Sequence, residues 1–74
     1  MIKQRYDQLR LGLNIRRRRH GMRLTQEELG VKVGCTARTI SAIERGQREV
    51  SVGLVFNLSR ALDCPVQELL LGME

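Results

Sequence analysis

The stretch from Thr25 to Glu44, Thr-Gln-Glu-Glu-Leu-Gly-Val-Lys-Val-Gly-Cys-Thr-Ala-Arg-Thr-Ile-Ser-Ala-Ile-Glu, constrains this chain more than any other segment. Thr25 starts a helix, and Glu28 three residues later completes a capping box. Leu29 and Val33 point inward from that helix. Thr36 caps the next helix, which runs to about Arg45. Two short helices joined by a turn as brief as Gly34-Cys35-Thr36 must cross steeply, which places the second on the outside of the molecule.

The flanking segments are helical as well. From about Asp7 to Arg19, Leu11 and Ile15 sit four apart with Leu9 nearby, and charges fill the other sides, as on a surface helix with a narrow apolar stripe. Ser51 caps a helix from about Val52 to Leu62, with Leu54, Val55, Leu58, Ala61 and Leu62 on its buried side. Pro65 belongs to the first turn of a short last helix through about Leu71. Gly21, Gly34, Gly46 and Gly72 each follow a helical segment and read as C-terminal caps. Gly30 lies inside a helix, where glycine costs about 0.8–1 kcal/mol against alanine, and marks a close approach by the next helix. No segment alternates with period two. The expectation is an all-α fold of five helices in a single domain spanning residues 1–74, with residues 1–6 as a flexible basic extension.

A chain of 74 residues buries only about 60% of its unfolded surface. Tyr6 and Phe56 are its only aromatics, so aliphatic side chains must fill the core. No apolar run approaches the ~20 residues that span a bilayer, and no secretory segment is present, so a cytoplasmic protein without membrane partners is expected. Cys35 and Cys64, with one histidine, cannot supply four zinc ligands. Each precedes a helix start, where a buried free thiol is favoured over a disulfide. His20 reads as a polar residue at the end of the first helix.

The net charge of +5 conceals a polarity. Residues 1–48 hold twelve Lys and Arg against Asp7, Glu27, Glu28 and Glu44, a balance of +8. Residues 49–74 hold Arg60 against Glu49, Asp63, Glu68 and Glu74, a balance of −3. A basic half on a small domain suits a polyanion partner.

The third helix supplies the surface for it. Counting from Ala37, Ile40 and Ile43 fall near about 300° and 240° and fix the buried side. Arg38, Arg45, Ser41 and Ala42 lie opposite. That face holds two arginines, a hydroxyl and small residues, with nothing bulky to block close approach. An α-helix fits the major groove of B-DNA, where an arginine binds guanine O6 and N7 together.

Thr25-Gln26-Glu27-Glu28-Leu29, then Gly34-Cys35-Thr36, then Ile40-Ser41-Ala42-Ile43-Glu44-Arg45-Gly46 resembles the Cro and phage-repressor (Xre-like) helix-turn-helix family. The resemblance extends from Leu11 to about Leu71. It implies a compact five-helix, lambda-repressor-like DNA-binding domain, usually dimeric on a two-fold operator. By position it assigns base or near-base contacts to Thr36, Ala37, Arg38, Ser41 and Ala42. Phosphate contacts fall to Thr25, Gln26, Arg45, Gln47 and Arg48, with free N–H groups at the helix start favouring an anion near Gln26. Arg19 and Glu44 match a structural pair. The chain departs from the pattern at Gly30, where alanine is usual, at Val50, where proline is frequent, and at Arg23, where glycine is common. Gly21 is expected to supply that turn instead.

Arg16 to Arg19 span about 300° of helical rotation and cannot share one partner. Arg19 is expected to lean toward Glu44, one or two others toward DNA, and the rest into solvent. Lys3, Arg5 and Arg10 suit a frayed, solvated terminus. Leu69, Leu70, Leu71 and Met73 exceed what a short helix buries and suggest a self-association patch.

The expected function is a sequence-specific, double-stranded DNA-binding transcriptional regulator, a dimeric repressor of palindromic operators. It needs no cofactor or small-molecule ligand and is regulated by its own concentration. The competing reading is an antitoxin or adaptor subunit that pairs with another protein while binding DNA. An enzyme is disfavoured, for the chain offers no glycine-rich phosphate loop, no catalytic carboxylate pair and one histidine. Single-stranded RNA is disfavoured by the lack of aromatic stacking platforms.

Overall fold

Three hydroxyl side chains set helix starts in this protein. The computed structural model describes residues 5–73 and holds α1 (Arg5–Gly21), α2 (Gln26–Val33), α3 (Ala37–Glu44), α4 (Val52–Ala61) and α5 (Val66–Leu69). Thr25, Thr36 and Ser51 accept from the backbone N–H groups of Glu28, Thr39 and Leu54 at 3.0, 3.1 and 3.1 Å. Each satisfies one of the donors that a helix start leaves unpaired. At Thr25 the capping box is complete, for its own N–H donates to Glu28 Oε1 at 2.8 Å.

The helices close around one cluster of side chains. Leu11 and Ile15 from α1, Leu29 from α2, Ile40 and Ile43 from α3, Val55 and Leu58 from α4, and Leu69 from α5 are buried, joined by Val50 and Leu62 from the loops. Val33, Leu54 and Ala61 are half-buried against it. Leu9 stays largely exposed, with its side chain lying over the backbone of Gly46. Val50, at a position where the family frequently has proline, is fully buried and anchors the α3–α4 loop in the core.

Two glycines let backbones meet. A methyl on Gly30 would sit 2.5 Å from the Cys35 carbonyl oxygen, so the close neighbour is the turn rather than the body of α3. Gly12, fully buried in α1, lies against the Ile43 and Glu44 carbonyls, and a methyl there would be 2.6 Å from the latter. This contact seats α1 directly on the end of α3.

Several boundaries differ from expectation. α1 starts at Arg5, so Arg5 and Tyr6 belong to a helix and not to a flexible extension; Lys3 lies outside the described residues. Arg10 is no terminal arm either: it is half-buried, with its Nε enclosed beneath the Gly72 turn. Gly21 is the last residue of α1 rather than its left-handed cap, and Arg23 takes that role at φ 58°. Pro65 is the N-cap of α5, one position before the helix. α5 ends at Leu69 because Asn14 Nδ2 draws the Leu69 and Leu71 carbonyls to itself, at 2.8 and 2.9 Å. Cys35 and Cys64 are free and half-buried, not fully enclosed. No helix among the described residues is long and apolar enough to cross a membrane.

Candidate nucleic-acid interface

A buried ion pair fixes the far end of α3. Arg19 Nε donates to Glu44 Oε2 at 2.6 Å, and a terminal nitrogen donates to Glu44 Oε1 at 3.0 Å. The other terminal nitrogen donates to the Leu24 carbonyl at 2.8 Å. The two side chains are only 9% and 3% exposed. The hydrogen-bonded carboxylate pushes the Arg19 guanidinium above its ordinary range, outweighing the opposite effect of burial. His20 Nε2 lies 3.2 Å from the same guanidinium and accepts from it when the ring proton is on Nδ1. Gln26 completes the brace by donating from Nε2 to Glu44 Oε1 at 3.1 Å. α1, α2 and α3 are thus tied at one carboxylate.

The outer side of α3 then stands clear. Ile40 and Ile43 are buried, while Arg38 and Arg45 are exposed. Ala37, Ser41 and Ala42 are half-exposed beside them, and Thr36 is exposed at the helix start. Arg38 has no hydrogen-bond or ion-pair partner among the described residues. Arg45 is the C-cap of α3 and folds its Nε back to the Ser41 carbonyl at 3.3 Å, leaving its terminal nitrogens outward. Gln47 and Arg48 are exposed in the loop that follows.

At the start of α2, the Thr25 oxygen is occupied by capping and Gln26 by Glu44. The backbone N–H groups of Gln26 and Glu27 are left in the first turn without an intrahelical acceptor, as at any helix start. Of the arginine run, Arg16 and Arg17 are exposed and Arg19 is buried. Arg18 pairs with Glu68, tying α1 to α5, with both side chains 40% exposed. The run fans out because successive helical residues turn about 100°.

The C-terminal leucines separate. Leu69 is fully buried and is removed from the candidate self-association patch, because its side chain fills the domain's own core. Leu70 is half-buried against that core and Leu71 is 51% exposed.

Sequence reasoning passed over Thr39. Its hydroxyl accepts from the Thr36 hydroxyl at 3.2 Å in the first turn of α3, on the flank between the buried and outer faces. A second hydroxyl three residues after a cap was the available signal. Arg23, at a position where glycine is common in the family, adopts the left-handed backbone that favours glycine there.

The helix-turn-helix family matches residues 15–69. An uncharacterized HTH-type transcriptional regulator of Methanothermobacter thermautotrophicus is 46% identical over 48 residues, 65% of this chain and 70% of that protein. An uncharacterized transcriptional regulator in the ATPase CF(0) region of Rhodospirillum rubrum is 30% identical over 76% of this chain, which spans only 52% of that relative. Among solved structures, the restriction-modification controller protein C.AhdI from Aeromonas hydrophila superposes with a TM-score of 0.84 at 34% identity, covering 88% of this chain and 94% of that one. The P22 c2 repressor protein, solved with a synthetic operator, superposes with a TM-score of 0.77 at 37% identity, covering 84% and 94%. With a capped α2, a Gly-Cys-Thr turn and a braced α3 presenting arginines outward, the chain belongs to the helix-turn-helix family of DNA-binding transcriptional regulators.

Proposed function

We infer that this protein is a dimeric repressor that reads a palindromic operator by laying α3 in the major groove. The observation that carries the reading is Arg38, exposed opposite the buried Ile40 and Ile43 on a helix braced at Glu44. Small neighbours at Ala37, Ser41 and Ala42 let the helix approach base edges. Thr25, Gln26, Arg45, Gln47 and Arg48 take the backbone phosphates on either side. The likeness to a repressor solved on its operator supports repression over activation. Leu71, with the half-buried Leu70 beside it, is the remaining apolar surface at the C-terminal end for a second copy.

Selection of bound fragments from random duplex DNA tests this directly. The expected product is an inverted repeat whose half-sites lie about 34 Å, one helical turn, apart. Sedimentation of the free protein should give a dimer. Failure to enrich any sequence would remove specific reading, and a single unrepeated half-site would remove the two-fold operator. A reporter driven from the selected site should fall in output. Co-purification of an unlike subunit would instead favour the adaptor reading.

A further inference from the structure

A cleft of about 470 Å³ lies between α1 and the chain that follows α4. That volume falls within the about 300–1,000 Å³ of small-molecule sites. Asn14, Arg17, Arg18 and Gly21 line it from α1. At about 100° per residue they centre about 170° around α1 from Gly12, which abuts the end of α3. An occupant of this cleft therefore leaves the outer face of α3 clear.

The cleft joins an apolar floor to separated charges. Leu62 is buried at its base, while Met22 and Leu71 line it at 41% and 51% exposure. Arg18 and Glu68 pair with each other at one wall. Arg17 and Asp63 line the cleft as well and are exposed. Their side chains have no hydrogen-bond or ion-pair partner among the described residues, each other included. The four charges sum to zero, so a simple anion meets two carboxylates and a simple cation meets two guanidinium groups.

Asn14 adds a directed acceptor. It is only 5% exposed, and its Nδ2 donates to the Leu69 and Leu71 carbonyls. Oδ1 receives no hydrogen bond from any described residue. Nor is it sealed in the core, for among the described residues the enclosed side-chain polar atom without a partner is Arg10 Nε. Oδ1 therefore faces the cleft that Asn14 lines.

We propose that this cleft binds a free α-amino acid with an apolar side chain. Arg17 takes the carboxylate, Asp63 and Asn14 Oδ1 take the ammonium, and Met22, Leu62 and Leu71 receive the side chain. A zwitterion brings both charges without net charge, which matches the neutral lining. Leu71 is also the surface inferred above for a second copy, so the amino acid competes with dimer formation. That consequence rests on the dimer reading, whereas the site itself does not.

The test titrates L-leucine into the isotope-labelled protein and follows backbone amide shifts by NMR. L-leucinamide, which lacks the carboxylate, and isocaproate, which lacks the ammonium, are titrated beside it. Saturable shifts at Gly21, Met22, Asp63 and Leu71 are expected with leucine. Each analogue should bind about two- to fivefold more weakly, the range for an exposed charge pair. Arg17→Gln should weaken leucine and isocaproate but not leucinamide. Asp63→Asn should weaken leucine and leucinamide but not isocaproate. Both positions are exposed, and asparagine tolerates the left-handed backbone of residue 63, so both variants keep the fold. Shifts that never saturate, or analogues that bind as leucine does, overturn the site. Sedimentation with and without saturating leucine checks the competition, and a move from dimer to monomer is expected. A dimer unmoved by leucine that binds overturns the competition and takes self-association off Leu71. A wild type already monomeric overturns the dimer reading and the competition with it, while the titration still decides the site.

Discussion

Arg19 and Glu44 meet through two hydrogen bonds of 2.6 and 3.0 Å, and each then holds a further element: Arg19 the Leu24 carbonyl, Glu44 the Gln26 amide. The outer face of α3 is aimed by a contact on its inner edge. A buried pair of this kind contributes orientation as much as net stability, because desolvation offsets much of its attraction.

Removing one partner leaves the other charge buried and unpaired. Glu44→Ala should therefore lower unfolding stability by about 3–5 kcal/mol in urea titrations. Replacing both residues with apolar side chains of similar size should cost less than the single change. Equal losses in the two variants would show that the pair itself, and not the orphaned arginine, carries the effect.

Gly12→Ala would force a methyl against the Ile43 and Glu44 carbonyls. Overpacking of this sort costs about 1–3 kcal/mol. Melting temperature should fall, and operator binding should weaken through displacement of α3. Gly53→Ala in α4, with open space around the position, is the control: melting temperature should hold or rise, because alanine is the better helix former, and operator binding should stay in place.

Arg38→Ala should cost about 1–3 kcal/mol on the selected site and relax preference at one base position. Binding to random duplexes should change little. An equal loss on both would reassign Arg38 to the phosphates.

Arg45→Ala and Arg48→Ala should weaken binding to all sequences alike and reduce the salt slope by about 0.9 for each lost contact. Arg45 keeps its terminal nitrogens free while Nε bonds the Ser41 carbonyl, so its phosphate contact and its cap are separable. Arg45→Lys should retain the slope. A slope untouched by either alanine variant places these side chains outside the interface.

Burial pushes the Cys64 thiol up; the Arg18 charge opposes this, and Glu68 and Asp63 add to it. The folded state therefore holds this proton more tightly than the unfolded chain. Its stabilising effect is complete below the ordinary thiol range and is lost as pH rises through the raised value. Alkylation at pH 8 should be slower for the native protein than for the urea-unfolded one, and Cys64→Ser should flatten the alkaline fall in stability. Equal alkylation rates would contradict the shift.

What the sequence determined by itself was local. The caps at Thr25, Thr36 and Ser51 link a side-chain oxygen to a backbone N–H three residues away, so the chain order alone reveals them. The isoleucines at 40 and 43 mark the inner side of α3 because helical rotation is fixed per residue. Tertiary structure decided what depends on distant neighbours. Gly12 is small because α3 ends on top of it. Arg18 turns to Glu68, fifty positions on. Leu69 sinks into the core while Leu71 stays out, because Asn14 bends the chain between them. Arg23 takes the left-handed turn although Gly21 was the freer residue, because α1 continues through Gly21 before the closing bonds from residues 23 and 24 can form. Capping and periodicity act within a single turn of chain, whereas close approach and side-chain direction exist only once the helices have packed.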